Sequence, residues 1–194
     1  MAISAQAVKQ LKELTNCGMM DCKRALEETN GDVDAAIKNL REKGLAKAAK
    51  KSGRIAAEGL VYTKIDEAKK VGVVVEINVE TDFAAKTDRF IEFVELVANT
   101  IIENDVADVD ALKEVVPAGQ TEKIGDILTE RIATIGENIQ IRRFARFPEN
   151  FSVAYVHAGG KIGVLVNLEV SGGIDATVIG KDIAMQIAAL NPRF

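Results

Sequence analysis

The sequence predicts an α+β protein, with a small helical unit ahead of a sheet-bearing core built from a repeated β-β-α pattern. Three observations predict it. Apolar residues recur at helical spacing through residues 1–44, the period drops to two from residue 60, and a strand–turn–strand–helix pattern appears twice.

The first helix places Val8, Leu11 and Leu14 at i, i+3 and i+6, and TNCG stops it. A second starts at Met19–Met20, turns Ala25 and Leu26 inward, and ends near Asn30–Gly31. The third starts at Asp32 with Val33, Ala36, Ile37 and Leu40 on one face, and Gly44 is its expected stop. Residues 1–44 thus form a three-helix unit, a size more suited to docking than to catalysis. Residues 45–59 then predict a separate basic linker helix, with Lys47, Lys50, Lys51 and Arg54 on one face.

LVYTKI and VGVVVEINV predict two strands around a turn near Asp66–Lys70, the second apolar enough to be central. A helix beginning near Asp88 carries Phe90, Phe93, Val94 and Val97. The acidic stretch ENDVADVDALKEVVPAGQT makes a helix-bearing excursion. Another helix covers 122–134, Gly136 ends it, and NIQIRRFARF returns as a strand that completes a first core unit over 60–148. YVHAGGKIGVLVNL repeats the tyrosine-bearing hairpin YTKIDEAKKVGVVVEI, and VIGKDIAMQIAAL repeats the helix. Residues 149–194 therefore read as a second core unit, incomplete because no equivalent of the later helix and strand follows.

Charge is unevenly spread within a net −4. Residues 71–140 hold 15 acidic and 5 basic side chains, a field that disfavours a broad nucleic-acid surface there. No stretch approaches the about 20 apolar residues of a membrane span, and the N-terminus lacks a signal-peptide core, so a cytoplasmic setting is expected. Cys17 and Cys22 are too few and too close for a disulfide framework.

Few constellations suggest chemistry. Glu76, Glu80, Asp82 and Asp88 form an acidic group, but no histidine, cysteine or nucleophile accompanies it. Thr81 or Thr87 capping a helix explains these residue types more simply. The sole histidine, His157, reads as structural or as a hydrogen-bonding contact. AGGKIG lacks the GK[ST] of a phosphate loop and fits a hairpin turn. Arg142, Arg143 and Arg146 are a weak RNA signal without stacking aromatics. Of two adjacent helical methionines, Met19 and Met20, at least one must be exposed, and a soft side chain there suits a protein contact. Neither a catalytic residue nor a metal or cofactor site is expected.

LKELTNCGMMDCKRAL, EINVETDFAAK, IGENIQIRR and KIGVLV resemble translation elongation factor Ts along the whole chain. The resemblance implies a ubiquitin-associated-like (UBA-like) three-helix domain, a linker helix and two related α+β core subdomains. It implies a non-catalytic guanine-nucleotide exchange factor that binds elongation factor Tu·GDP, promotes GDP release and binds no nucleotide itself. By resemblance, Thr81, Asp82, Phe83 and Ala84 displace the partner's magnesium ion, with Asp82 and Phe83 as the intruding pair. His157, Ile135 and Gly136 imply further core contacts, and Met19, Met20 and Lys23 a contact of the N-terminal domain. The chain departs from the family at Asn16, where glycine is common, at Cys17, where a small residue is usual, and at Ala84, where valine is usual. Family members continue into a helical hairpin and complete the second subdomain, so weak exchange is expected here. Two other readings stand beside exchange: docking to the same partner without efficient release of GDP, and RNA or ribosome binding through the basic helix.

Overall fold

The computed structural model describes residues 3–15 and 17–192, so the expectation for Asn16 lies outside the described residues. The N-terminal unit consists of α1 (Ala5–Thr15), α2 (Met19–Glu28) and α3 (Val33–Lys51). Val8, Leu11, Cys22, Ala25, Leu26, Ala36 and Leu40 form its buried cluster. Asn30 and Gly31 both take positive φ between α2 and α3. Asp32 then caps α3 by accepting from the Ala35 N–H at 3.0 Å.

Two helical expectations are corrected. Leu14 is 67% exposed, because i+6 rotates about 120° off the stripe at 100° per residue. Gly44 does not end its helix. α3 runs 19 residues to Lys51, so the third helix and the first half of the expected basic helix are one rod. Residues 52–57 are not helical, and Arg54 leaves the face of Lys47, Lys50 and Lys51. The residues after Gly44 are mostly strong helix formers, and Gly44 itself is buried where α3 crosses α7 (Ile124–Ile135). A Cβ built on Gly44 would stand 3.5 Å from the Cβ of Ala133. A glycine marks a stop where the chain must take positive φ; here its small size serves packing.

The core sheet orders β1 (Glu58–Asp66), β2 (Val71–Val79) and β3 (Ile139–Pro148) antiparallel with β2 central, as expected. Val71, Val73, Val75, Ile77 and Val79 alternate onto one buried face. They meet Phe90, Phe93, Val94, Val97 and Ile101 of α5 (Asp88–Glu103) and Ile124, Ile127 and Ile132 of α7 in one cluster. The short α4 (Asp82–Ala85) and α6 (Val109–Lys113) complete this unit. Between Glu76 and Ile77 the β2–β3 register skips Arg142, and the bulge lets both Arg142 and Arg143 reach the Glu76 carboxylate, at 3.5 and 2.7 Å.

β4 (Phe151–His157), β5 (Ile162–Leu168) and α8 (Thr177–Leu190) repeat the β-β-α pattern, with two strands where the first sheet has three. The hairpins close on equivalent four-residue loops, Asp66 facing Val71 and His157 facing Ile162. That register superposes Gly72 on Gly163 and sets the two tyrosines out of step: Tyr62 corresponds to Val153, and Tyr155 to Lys64. The equivalent glycines let the sheets stack closely. A Cβ on Gly163 would lie 2.5 Å from Val61, and one on Gly72 would lie 2.6 Å from Ser152. α8 covers the far face of the second sheet.

Candidate functional site

The stretch after β2 is organised by two caps. Thr81, extended at φ −125° and ψ 153°, accepts from the Ala84 N–H at 3.2 Å and starts α4. Thr87 accepts from the Phe90 N–H at 3.4 Å and starts α5, while its hydroxyl donates to the Ala84 carbonyl at 2.7 Å. Between the caps Ala84 and Ala85 turn into the core, at 6% and 4% exposure. On a single helical turn that orientation points the preceding residue outward, and Phe83 is 80% exposed while Phe90 and Phe93 are fully buried. Asp82 accepts from Lys86 Nζ at 2.7 Å. That hydrogen bond, helped by the charges of Lys86 and Lys161, holds the Asp82 carboxyl below the usual carboxylate range. The structure therefore divides the predicted quartet: Asp82 and Phe83 are presented, whereas Thr81 and Ala84 hold the turn. Ala84 is not at the surface.

α7 ends at Gly136, whose φ of 90° and ψ of 6° form a left-handed cap. Ile135 beside it is half-buried and Gly136 is exposed. The next residue, Glu137, accepts the Thr81 N–H at 2.9 Å and the Thr81 hydroxyl at 2.7 Å. Ile135–Gly136 and the 81–84 turn are thereby joined. Glu80 reciprocates by accepting the Asn138 N–H at 2.6 Å. Sequence reading put Glu80 in an acidic group and Asn138 at the start of a strand; the Thr81–Glu137 and Asn138–Glu80 contacts span 56 and 58 residues.

His157, exposed at the end of β4, has its Nδ1 3.0 Å from the Tyr155 hydroxyl, with the rings stacked at 5.9 Å. Ala158, Gly159 and Gly160 follow with positive φ. The Gly160 carbonyl accepts from the Val61 N–H at 2.7 Å, and Lys161 pairs with Glu58. The hairpin tip thus rests on the start of β1, the strand against which α4 also packs. Met19 and Met20, 48% and 62% exposed, lie with Lys23 on the outside of α2. Lys23 faces Glu27 at 3.7 Å. Their unit joins the core through α3 on α7 and through Arg41, which reaches Glu122 at 3.2 Å and Asp126 at 2.8 Å.

The acidic residues do not converge. Glu76 serves two arginines, Glu80 holds Asn138, and Asp82 holds Lys86. Among the described residues no group of three or more His, Cys, Asp or Glu is placed to hold a metal ion. The basic residues are partly engaged as well: Lys47 on α3 pairs with Asp21 at 3.1 Å, and Arg54, beyond the helix end, pairs with Glu80 at 3.5 Å. Burial, with the charge of Arg54, pushes Lys51 below the usual lysine range. Arg146 caps α5 by donating to the Ile101 carbonyl at 3.1 Å. Cys17 and Cys22 are both free thiols. No helix of the described residues is long and apolar enough to cross a membrane.

The model of one family, elongation factor Ts, matches residues 80–194. The elongation factor Ts of Halothermothrix orenii is 48% identical over 196 residues, covering 100% of this chain and 66% of that protein. That of Magnetococcus marinus is 48% identical over 197 residues, covering 100% and 64%. That of Clostridium perfringens strain SM101 is 50% identical over 197 residues, covering 99% and 64%. The chain thus spans about two thirds of the length of these curated relatives.

Proposed function

The chain belongs to the elongation factor Ts family, and from that premise we propose that it binds elongation factor Tu·GDP and accelerates loss of GDP. The observation that carries this reading is the 80% exposure of Phe83 on a turn whose neighbours are buried and doubly capped. A phenyl ring held in water at the end of a rigid turn is a poor core residue and a good wedge. Asp82 beside it supplies negative charge. Its exposed pairing with Lys86 is screened by solvent and readily exchanged on docking.

Exchange requires differential affinity rather than bond chemistry. If the wedge fits the nucleotide-free partner better than the GDP-bound one, GDP and this chain each weaken the other's binding by the same factor. An aromatic ring seated between displaced helices, with a carboxylate brought toward the magnesium and phosphate site, produces such a difference. Ile135–Gly136 and the His157 hairpin extend the contact surface from either side of the turn. Met19, Met20 and Lys23 form a second patch that holds the same partner. Stopped-flow release of a labelled GDP from elongation factor Tu is the test. Release that accelerates with chain concentration to a plateau is expected; binding without acceleration shows a docking module instead.

A further inference from the structure

We propose that Glu137 is the positioning residue that aims Phe83, an inference that rests on the wedge reading above. The β2–β3 ladder ends at Val79 opposite Ile139. Continued by one and two rungs, it would pair Glu80 with Asn138 and Thr81 with Glu137. At each of these positions a side-chain carboxylate of one strand takes a backbone N–H of the other. Glu80 takes the N–H of Asn138 at 2.6 Å, and Glu137 takes the N–H of Thr81 at 2.9 Å. The two strands therefore stay clasped past the point where the sheet stops.

Glu137 does more than close a rung. Its second oxygen accepts the Thr81 hydroxyl at 2.7 Å. A threonine hydroxyl has one proton, and donating it to Glu137 leaves the oxygen lone pairs facing the Ala84 N–H, 3.2 Å away. The three groups form a polarised chain running from carboxylate through hydroxyl to the helix N-terminus, in which each bond strengthens the next. α4 is four residues long, too short to hold itself without its cap. Glu137 also follows Gly136 directly, so the same carboxylate sets the separation between the α7 cap and Phe83. Glu137 lies outside the apolar cluster of the core; its effect is on the direction of the ring.

The test combines the free chain with the exchange assay. In the free chain, Glu137→Ala is expected to lose hydrogen-exchange protection at the Thr81 amide while Val75 and Ile77 keep theirs. In labelled-GDP release, Glu137→Ala is expected to lower the plateau rate about 10-fold, and by no more than Phe83→Ala lowers it, since it acts through the ring. Glu137→Gln, which keeps one acceptor oxygen, is expected to recover part of that loss. In a Phe83→Ala background, Glu137→Ala is expected to change release by less than about twofold, because a residue acting through the ring has nothing left to aim. Unchanged release by Glu137→Ala, or equal losses in both backgrounds, overturns the positioning role alone. An unaltered rate for Phe83→Ala by itself overturns the wedge and this role together.

Discussion

Phe83→Ala separates a wedge from a core residue by arithmetic. Fully burying a phenylalanine side chain is worth about 1.5–3 kcal/mol. Phe83 is 80% exposed in the free chain, so only about a fifth of that, about 0.3–0.6 kcal/mol, supports the fold. For a chain of this size the melting temperature should fall by about 1–2 °C. The other four-fifths is realised only on docking, about 1.2–2.4 kcal/mol, or an about 8- to 60-fold loss in productive binding. Phe90→Ala is the matched control. Phe90 is fully buried, so its removal should cost about 3–5 kcal/mol of stability. The assay pairs thermal unfolding of each variant with labelled-GDP release from elongation factor Tu, normalised to the folded fraction. If Phe83→Ala melts several degrees early while release per folded molecule is unchanged, Phe83 supports the fold and the reasoning from its exposure is wrong.

Glycine to alanine should have opposite signs in two helices. At Gly44 an added methyl meets Ala133 at an ordinary 3.5 Å, so Gly44→Ala should raise stability by about 0.5–1 kcal/mol through helix propensity, read from urea midpoints. At Gly180 the methyl would lie 2.6 Å from Val153 Cγ2; Gly180→Ala should cost about 1–3 kcal/mol by overpacking and loosen α8. Burial, partly offset by the charge of Arg131, pushes the Glu130 carboxyl above the usual range. The folded chain therefore holds this proton more tightly than the unfolded chain, and the associated stability is complete below the unfolded-state value and lost as pH rises through the folded-state one. Glu130→Gln should accordingly raise the melting temperature at pH 8 and leave it unchanged near pH 3; equal shifts at both would remove the ionisation argument.

Elements with a strong period were legible without coordinates. Alternation along VGVVVEINV named the buried face of β2, and the spacing of Phe90, Val94 and Val97 named the buried stripe of α5. Cap residues were legible too, since Thr81, Thr87 and Asp32 all accept from the backbone as their positions suggest. Gly44 was misread because the same residue serves a helix end or a close helix crossing, and only Ala133 on α7 tells which. The two hairpins correspond through the ladder register, which the equal loop lengths set, and not through their tyrosines.

The sequence by itself determined the strongly periodic helices and strands, that the core pattern is duplicated, and that 78–88 is a strand end followed by capped turns. Periodicity and capping are local, so they are written within a few residues. Only the tertiary structure decided which phenylalanine faces water, because the outward direction of Phe83 follows from Ala84 and Ala85 finding the core. Only it joined Thr81 to Glu137 across 56 residues. A contact of that span depends on where the sheet brings its strand ends, and no local pattern of residues carries that information.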